Sequence, residues 1–281
     1  MQNVLAAVIQ LNSGPDPEQN RQQAGELIGR AAGRGARLVA LPEFFTCIGP
    51  PDEIVAAAEP LDGPTRQFLS SMAKTHGITL VGGSFPEQTE TPGRIRNCSL
   101  IFGPQGELLS CYRKIHLFDI DLPDGVTFCE SSFVDAGDEI SLAETPAGRI
   151  GQATCYDLRF PELFRRLSEE RADVFVVPSA FALATGRDHW EVLLRARAIE
   201  NQVYVVAPGQ HGRHGKTLHT FGRSMIIDPW GTVLATAPDG PGIALAELDF
   251  ERMASIRRHL PSLASRTGVA GFTVAERPAV D

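Results

Sequence analysis

Arg149-Ile150-Gly151-Gln152-Ala153-Thr154-Cys155-Tyr156-Asp157-Leu158-Arg159-Phe160-Pro161-Glu162-Leu163 decides how the rest of the chain is read. As far as Ala153 it has the short apolar run of a buried strand. From Pro161 apolar residues return at helical spacing, Leu163, Phe164 and Leu167, and proline is pre-organised for the first position of a helix. Cys155 therefore sits where a strand gives way to a helix. In open α/β sheets that crevice is where ligands bind. Amides of the following turn, pointing at the sulfur, would favour thiolate over thiol. The plain alternative is a buried cysteine acting as a small hydrophobe. The polar residues that follow, Asp157, Arg159 and Glu162, favour a nucleophile.

The alternation extends on both sides. Asn3 to Leu11 reads as a strand, Pro17 to Gly33 as an amphipathic helix with Leu27, Ile28 and Ala31 inward, and Leu38 to Leu41 as a buried strand stopped by Pro42. Pro64 to His76 is helical; Ile78 to Ser84, Asn97 to Phe102 and Glu107 to Arg113 are strand-like. The stretch from Ile115 to about Glu144, rich in Gly, Pro and Asp, reads as irregular. Beyond Leu163 come a strand at Asp173 to Val177, a strong helix at Asp188 to Gln202 and a strand at Val203 to Ala207. Ser224 to Asp228 and Val233 to Thr236 flank Pro229-Trp230-Gly231, a hairpin signal. Ile243 to Leu248 is a last strand, and Phe250 to His259 a helix. Interleaved strands and helices place the chain in the α/β class. The surplus of strands, with hairpins, points to a mixed sheet or two stacked sheets. No interior linker divides the chain, so one domain is expected, followed from Pro261 by a weakly patterned tail.

Composition narrows the function. A length of 281 residues accommodates one large α/β domain, and 43% hydrophobic with 21% charged residues is ordinary for a globular protein. A net charge of −8 with no Lys/Arg-rich block speaks against nucleic-acid binding. The apolar Val4 to Leu11 lacks a basic flank and a cleavage site, so it reads as a first strand and not a signal peptide. No apolar run approaches the roughly 20 residues of a membrane span. The five cysteines, Cys47, Cys98, Cys111, Cys129 and Cys155, are odd in number, widely spaced and without a Cys-x-x-Cys. That pattern points to a reducing, cytoplasmic setting, with neither a disulfide framework nor a zinc site. His211, His214 and His219 cluster in a glycine-rich loop whose spacing matches no zinc pattern; a solvated or substrate-facing loop is expected. No Gly-x-Gly-x-x-Gly or Walker A sequence is present, and no metal or organic cofactor is expected.

A nucleophilic thiol needs a base and an oxyanion stabiliser. None of the seven histidines stands at an evident strand end, His116 coming nearest. Glu43 follows the buried Leu38–Leu41 run and Pro42, and precedes Phe44-Phe45. A carboxylate there is either partly desolvated, as a general base requires, or a helix cap facing solvent. Lys114 ends the strand before Ile115-His116-Leu117. It is either the cation for a thiolate and an oxyanion or an ordinary surface lysine. Three strand ends carrying a Glu, a Lys and a Cys favour the first reading of each.

Leu-Pro-Glu-Phe-Phe at 41–45, Tyr-Arg-Lys-Ile-His-Leu at 112–117 and Cys-Tyr-Asp-Leu-Arg-Phe-Pro-Glu at 155–162, in this order, resemble the nitrilase superfamily of carbon–nitrogen hydrolases. Pro178-Ser179-Ala180-Phe181, His189-Trp190-Glu191, Arg195 to Asn201 and Gly222 to Gly231 extend the resemblance, which runs from about Val4 to Leu260. It implies a four-layer αββα sandwich of two mixed sheets, with a carbon–nitrogen hydrolase domain at 1–260 and a C-terminal tail at 261–281. It implies Cys155 as nucleophile, Glu43 as general base and Lys114 as charge stabiliser. A second family glutamate, thought to position substrate and hold the lysine, is matched by Glu130 in Phe128-Cys129-Glu130-Ser131. Tyr156, through its N–H, with Arg159 and Phe181, is expected to bind substrate. Dimerisation through helices is implied as well.

Within the superfamily the chain looks most like the branch of deaminated-glutathione amidases. His189 to Glu200, Gly212-Arg213-His214 and Asp228 to Val233 carry that likeness. Two positions depart from it: Arg187-Asp188 stands where Pro-Ala is expected, and Arg223 where His is expected. Arg187 or Arg213 would suit a substrate carboxylate, or lie on the surface. The alternatives are an ω-amidase on 2-oxoglutaramate or 2-oxosuccinamate, and, from another class, a non-catalytic metabolite-binding or scaffold protein.

Overall fold

The computed structural model describes residues 2–121, 127–215 and 218–267. Two mixed sheets lie face to face. The first runs Gly242–Leu248, Val4–Gln10, Leu38–Ala40, Thr79–Val81, Ile95–Phe102 and Phe85–Gln88, with Leu108–Arg113 also paired to Ile95–Phe102. The second runs Val233–Thr236, Met225–Ile227, Tyr204–Ala207, Val174–Val176, Gly148–Gln152 and Leu142–Thr145. Each is built on three parallel strands: Val4–Gln10, Leu38–Ala40 and Thr79–Val81 in one, Gly148–Gln152, Val174–Val176 and Tyr204–Ala207 in the other. Antiparallel strands flank both trios.

Parallel strands need crossover helices, and those helices cover the outer face of each sheet. Successive strand residues then meet two different apolar environments. Ala6 and Val8 turn inward to pack with Ile150, Val174, Val176 and Val206 of the other sheet. Ala7 and Ile9 turn outward to pack with Ala24, Leu27, Ile28 and Ala31 of the Pro17–Gly33 helix and Leu69 and Ala73 of Pro64–His76. The second sheet packs likewise against Pro161–Glu169 and Leu183–Asn201. The result is the four-layer sandwich. Local signals place the helices: Asp16 accepts the Glu18 and Gln19 N–H groups just ahead of Pro17, and Pro64–His76 stops at Gly77 in a left-handed conformation.

One buried side chain breaks the apolar pattern between the sheets. Gln152 Oε1 accepts Ser99 Oγ at 3.1 Å, and its Nε2 donates to Ser110 Oγ at 2.9 Å and Ser141 Oγ at 3.1 Å. Ser99 and Ser110 belong to the first sheet, Gln152 to the second. This polar stitch fixes the two sheets in one register three residues ahead of Cys155.

Elsewhere the structure differs from the sequence reading. Within Ile115–Glu144, read as irregular, Asp119–Asp121 pairs with Thr127–Cys129, Glu130–Ser132 forms a 3-10 turn, and Leu142–Thr145 begins an edge strand. Three-residue strands are too short to show a period. The glycine-rich histidine loop is a hairpin of His211–His214 and Leu218–Phe221. The long helix starts at Leu183, ahead of the expected Asp188, and Pro51–Ala56 is an additional short helix. Of the expected tail, residues 268–281 lie outside the described residues. Among the described residues no helix is long and apolar enough to cross a membrane.

Candidate active site

The C-terminal ends of the two parallel trios meet at one cavity, and Glu43, Lys114, Glu130 and Cys155 all line it. Its volume of about 60 Å³ suits a small planar group with its substituents. Phe44, Ile48, Ile54, Phe118, Phe128 and Leu218 form most of the remaining wall. All four polar side chains are buried.

Glu43 reaches the cavity from the end of the Leu38–Ala40 strand. Its Oε1 accepts Lys114 Nζ at 3.0 Å and Asn97 Nδ2 at 2.9 Å, and its Oε2 accepts the Ala180 N–H at 2.8 Å. Gln210 Nε2 donates to the Glu43 carbonyl at 3.0 Å, and the next residue, Phe44, is held at φ 49° by Ser84 Oγ on its N–H. The carboxylate is no helix cap. Lys114 is likewise no surface residue. Its Nζ lies 2.8 and 3.1 Å from the two oxygens of Glu130, and its backbone is fixed at both ends, N–H to Asn97 O and O from the Gly137 N–H.

Glu130 stands at the start of the 3-10 turn, where Phe118 N–H donates to its Oε2. Arg94 holds that turn: Nη1 donates to Ser132 O, Nη2 to Ser131 O and Val134 O, and Nε pairs with Asp135. The resemblance located Glu130; the clamp that places it comes from just ahead of the Ile95–Phe102 strand and has no local sequence signal.

Cys155 opens a 3-10 turn, Cys155–Arg159, and the α-helix begins only at Pro161. Its φ of 47° is unusual for a residue with a side chain and marks a strained turn. Two anchors hold it. The Cys155 N–H donates to Pro178 O at 2.9 Å. Asp157, fully buried, accepts the Thr154 N–H and Tyr112 hydroxyl on Oδ2 and the His116 N–H on Oδ1. The Tyr156 N–H has no acceptor among the described residues.

His116 does not line the cavity that holds Cys155: its Nδ1 is 2.7 Å from Asp157 Oδ1 and its ring stacks on Phe160, with centroids 3.7 Å apart. A side lobe that shares Cys155 is lined by Tyr156, Arg159, Phe181 and Thr185. There the Arg159 guanidinium lies 5.1 Å from the Phe181 ring centroid and 5.7 Å from that of Tyr156. Arg187 and Arg223 line a separate groove, with Arg223 paired to Asp239 at 3.0 Å, and Arg213 is exposed. The three histidines do not converge: His214 is buried between Ser13 O and Thr220 Oγ1, while His211 faces Asp239. Asn97, Arg94 and Asp157 are the functional neighbours that sequence reading did not assign. A buried Asn between apolar strand positions was the available signal for the first.

Comparison with known proteins agrees with this geometry. The carbon–nitrogen hydrolase family model matches residues 5–258. The chain is 44% identical to a deaminated glutathione amidase of Synechocystis sp. over 272 residues, which cover 96% of this chain and 100% of that one. It is 41% identical to an omega-amidase of Homo sapiens over 262 residues, 93% of this chain and 94% of that one. The crystal structure of the C. elegans NitFhit protein superposes with a TM-score of 0.89 at 38% identity, covering 94% of this chain and 65% of that one.

The charges of the cavity oppose one of the sequence expectations. Burial pushes the Cys155 thiol well above the usual thiol range, and the Glu43 carboxylate adds to the shift; Lys114 offsets only part. The balance leaves a thiol facing a base. Burial alone would lower Lys114, but Glu130 and Glu43 overcome it and hold the ammonium well above its usual range. Burial raises Glu130 against the pull of Lys114. It follows that Glu43→Gln, which removes the negative charge, lowers the pH at which the Cys155 thiolate forms. The check is thiolate ultraviolet absorbance, taken as the difference from Cys155→Ser. Wild type should ionise only above the range of an ordinary thiol, and a thiolate already formed at neutral pH would contradict the assignment.

Proposed function

The chain belongs to the carbon–nitrogen hydrolase family, and we propose that within it the protein is an amidase that cleaves deaminated glutathione through a Cys155 thioester. The convergence of Cys155, Glu43, Lys114 and Glu130 on one cavity carries this reading. In the first half, Glu43 takes the thiol proton as Sγ attacks the amide carbonyl. Lys114 Nζ and the Tyr156 N–H receive the oxyanion; losing one such donor typically lowers rates on the order of 10²–10³. The carbon–nitrogen bond breaks as Glu43 passes its proton to the departing amine. In the second half, Glu43 takes a proton from water, whose oxygen attacks the thioester. The carbon–sulfur bond breaks and the proton returns to the sulfur. Glu130 holds the ammonium in place throughout. One carboxylate serves both halves, and the chemistry calls for no metal or cofactor.

The substrate assignment rests on the 44% identity to a deaminated glutathione amidase and on Arg159, a cation in the lobe beside Cys155, suited to a 2-oxo acid carboxylate. The products would be 2-oxoglutarate and cysteinylglycine. The 41% identity to an omega-amidase supports a second reading, with 2-oxoglutaramate or 2-oxosuccinamate as substrate. A thiol nucleophile also fits the reducing, cytoplasmic setting. Release of 2-oxoglutarate from deaminated glutathione and 2-oxoglutaramate, followed side by side, tests these readings. A higher kcat/KM for the first, abolished in Cys155→Ala and with KM raised in Arg159→Met, is expected. Preference for the second would make the protein an ω-amidase, and turnover by Cys155→Ala would overturn the mechanism.

We further propose a homodimer, with carbon–nitrogen hydrolase domain 1–260 as its unit. Val192 and Ile199, seven apart on the long helix, are 65% and 48% exposed, and Trp230 and Leu234 of the neighbouring hairpin are 57% and 40% exposed. Arg195 Nε donates to Gly231 O, and Ile199 packs against Gly231, so helix and hairpin form one apolar surface. In sedimentation velocity the wild type should run as a dimer and Val192→Glu/Trp230→Glu as a folded monomer. A wild type already monomeric at micromolar concentration would refute it.

A further inference from the structure

At rest Lys114 serves two anions, Glu43 and Glu130. The cavity therefore has one positive charge too few, and a neutral residue stands beside it. Asn97 is buried on the Ile95–Phe102 strand, between residues whose neighbours Cys98 and Leu100 face the helix layer. Its Nδ2 donates to Glu43 Oε1 at 2.9 Å and reaches Glu130 Oε1 at 3.4 Å. These are oxygens that also accept Lys114 Nζ, at 3.0 and 3.1 Å. The amide thus repeats two contacts of the ammonium. Its backbone does more: Asn97 O accepts the Lys114 N–H at 3.0 Å.

The orientation of this amide is set by charge. Asn97 Oδ1 is buried without a partner, an arrangement that native structures avoid unless something compensates. Turning the amide over would bring that oxygen against two carboxylate oxygens. An alanine would leave no orphaned acceptor at all, so the asparagine is explained by what its nitrogen does. Hydrogen bonds to the charged form of a carboxylate favour that form.

We propose that Asn97 is a positioning residue that holds Glu43 aimed and in its proton-accepting form until it takes the thiol proton, leaving Lys114 to receive the oxyanion. This rests on the reading of Glu43 as the general base. Two donors occupy Oε1, whereas Oε2 has only the Ala180 N–H, so Oε2 is the oxygen that takes the thiol proton. The charged or titratable groups facing Glu43 are Lys114 from the adjacent strand, Glu130 from the 3-10 turn and Cys155 from the other sheet; Ala180 and Gln210 contribute neutral contacts. When Lys114 moves toward the oxyanion, Asn97 is the donor that stays on Glu43 Oε1.

The experiment is kcat and KM across pH for Asn97→Ala, Asn97→Ser and Asn97→Asp in the full-length protein, using whichever amide the wild type turns over, with melting temperatures alongside. A base must be ionised, so activity appears on raising pH through the acidic limb of kcat/KM. Losing a donor to the charged form of the base moves that limb upward in Asn97→Ala. Near neutral pH kcat then falls about tenfold and recovers at higher pH, with KM within about twofold. Asn97→Asp, which adds a third carboxylate, moves the limb further. Should Asn97→Ala not fold, Asn97→Ser reports the same limb with its shorter side chain. A rate lowered equally at every pH, with the limb unmoved, overturns the proposal and leaves Glu43 as base. An acidic limb and turnover that persist in Glu43→Gln overturn the base assignment itself.

Discussion

The ammonium of Lys114 stands buried between the carboxylates of Glu43 and Glu130, 3.0 and 2.8 Å away, and the rest of the site is arranged to make that placement tolerable. Leaving one partner of such a pair alone in the interior costs about 3–5 kcal/mol, so each of the three side chains is conditional on the others. Each is also anchored from outside the trio. Lys114 is fastened by Asn97 O and the Gly137 N–H, Glu43 by Ala180 and Gln210, and Glu130 by Phe118 and the turn that Arg94 clamps. A carboxylate held next to a thiol is what general-base activation needs, and a rigid frame leaves little reorganisation for the moment of reaction.

The two sheets divide the work. The first supplies Glu43 and Lys114, the second supplies Cys155, and the contact between them is fixed by the Gln152 stitch to Ser99 and Ser110. Both trios of parallel strands end at the cavity, as open α/β sheets place their ligands. Each delivers its residue through a turn in a sparsely populated conformation: Phe44, after Glu43, and Cys155 itself both have positive φ. Strain of this kind persists only where surrounding contacts over-determine it. Here Ser84 on the Phe44 N–H and Pro178 and Asp157 around Cys155 do so.

Much of this was legible from residue pattern. Glu43, Lys114 and Cys155 announce themselves because each follows a strand whose apolar run stops abruptly, and the helices at Pro17–Gly33, Pro64–His76 and Phe250–His259 match their patterns end to end. Glu130 was not legible without the family resemblance. Its turn is formed by contacts from Arg94 and Phe118 and has no period of its own. The upward shift of the Cys155 thiol was hidden for a related reason: the helix-end argument is local, whereas burial and the Glu43 charge depend on the other sheet. His214 had looked like a loop residue, yet it is buried against Ser13, nearly the whole chain away in sequence. Pattern reveals elements; partners that belong to no common element stay hidden.

If the single ammonium is the organising charge, removing it should stop the first chemical step and not merely slow release of product. Rapid quench of Lys114→Met during its first turnover, with intact-mass analysis of the Cys155 acyl adduct, examines that step alone. The expected result is an adduct that forms on the order of 10²–10³ more slowly than in wild type, in a protein whose circular dichroism is unchanged. Acylation of Cys155 at the wild-type rate would show that Lys114 only props the glutamates, and the account would fail at its centre.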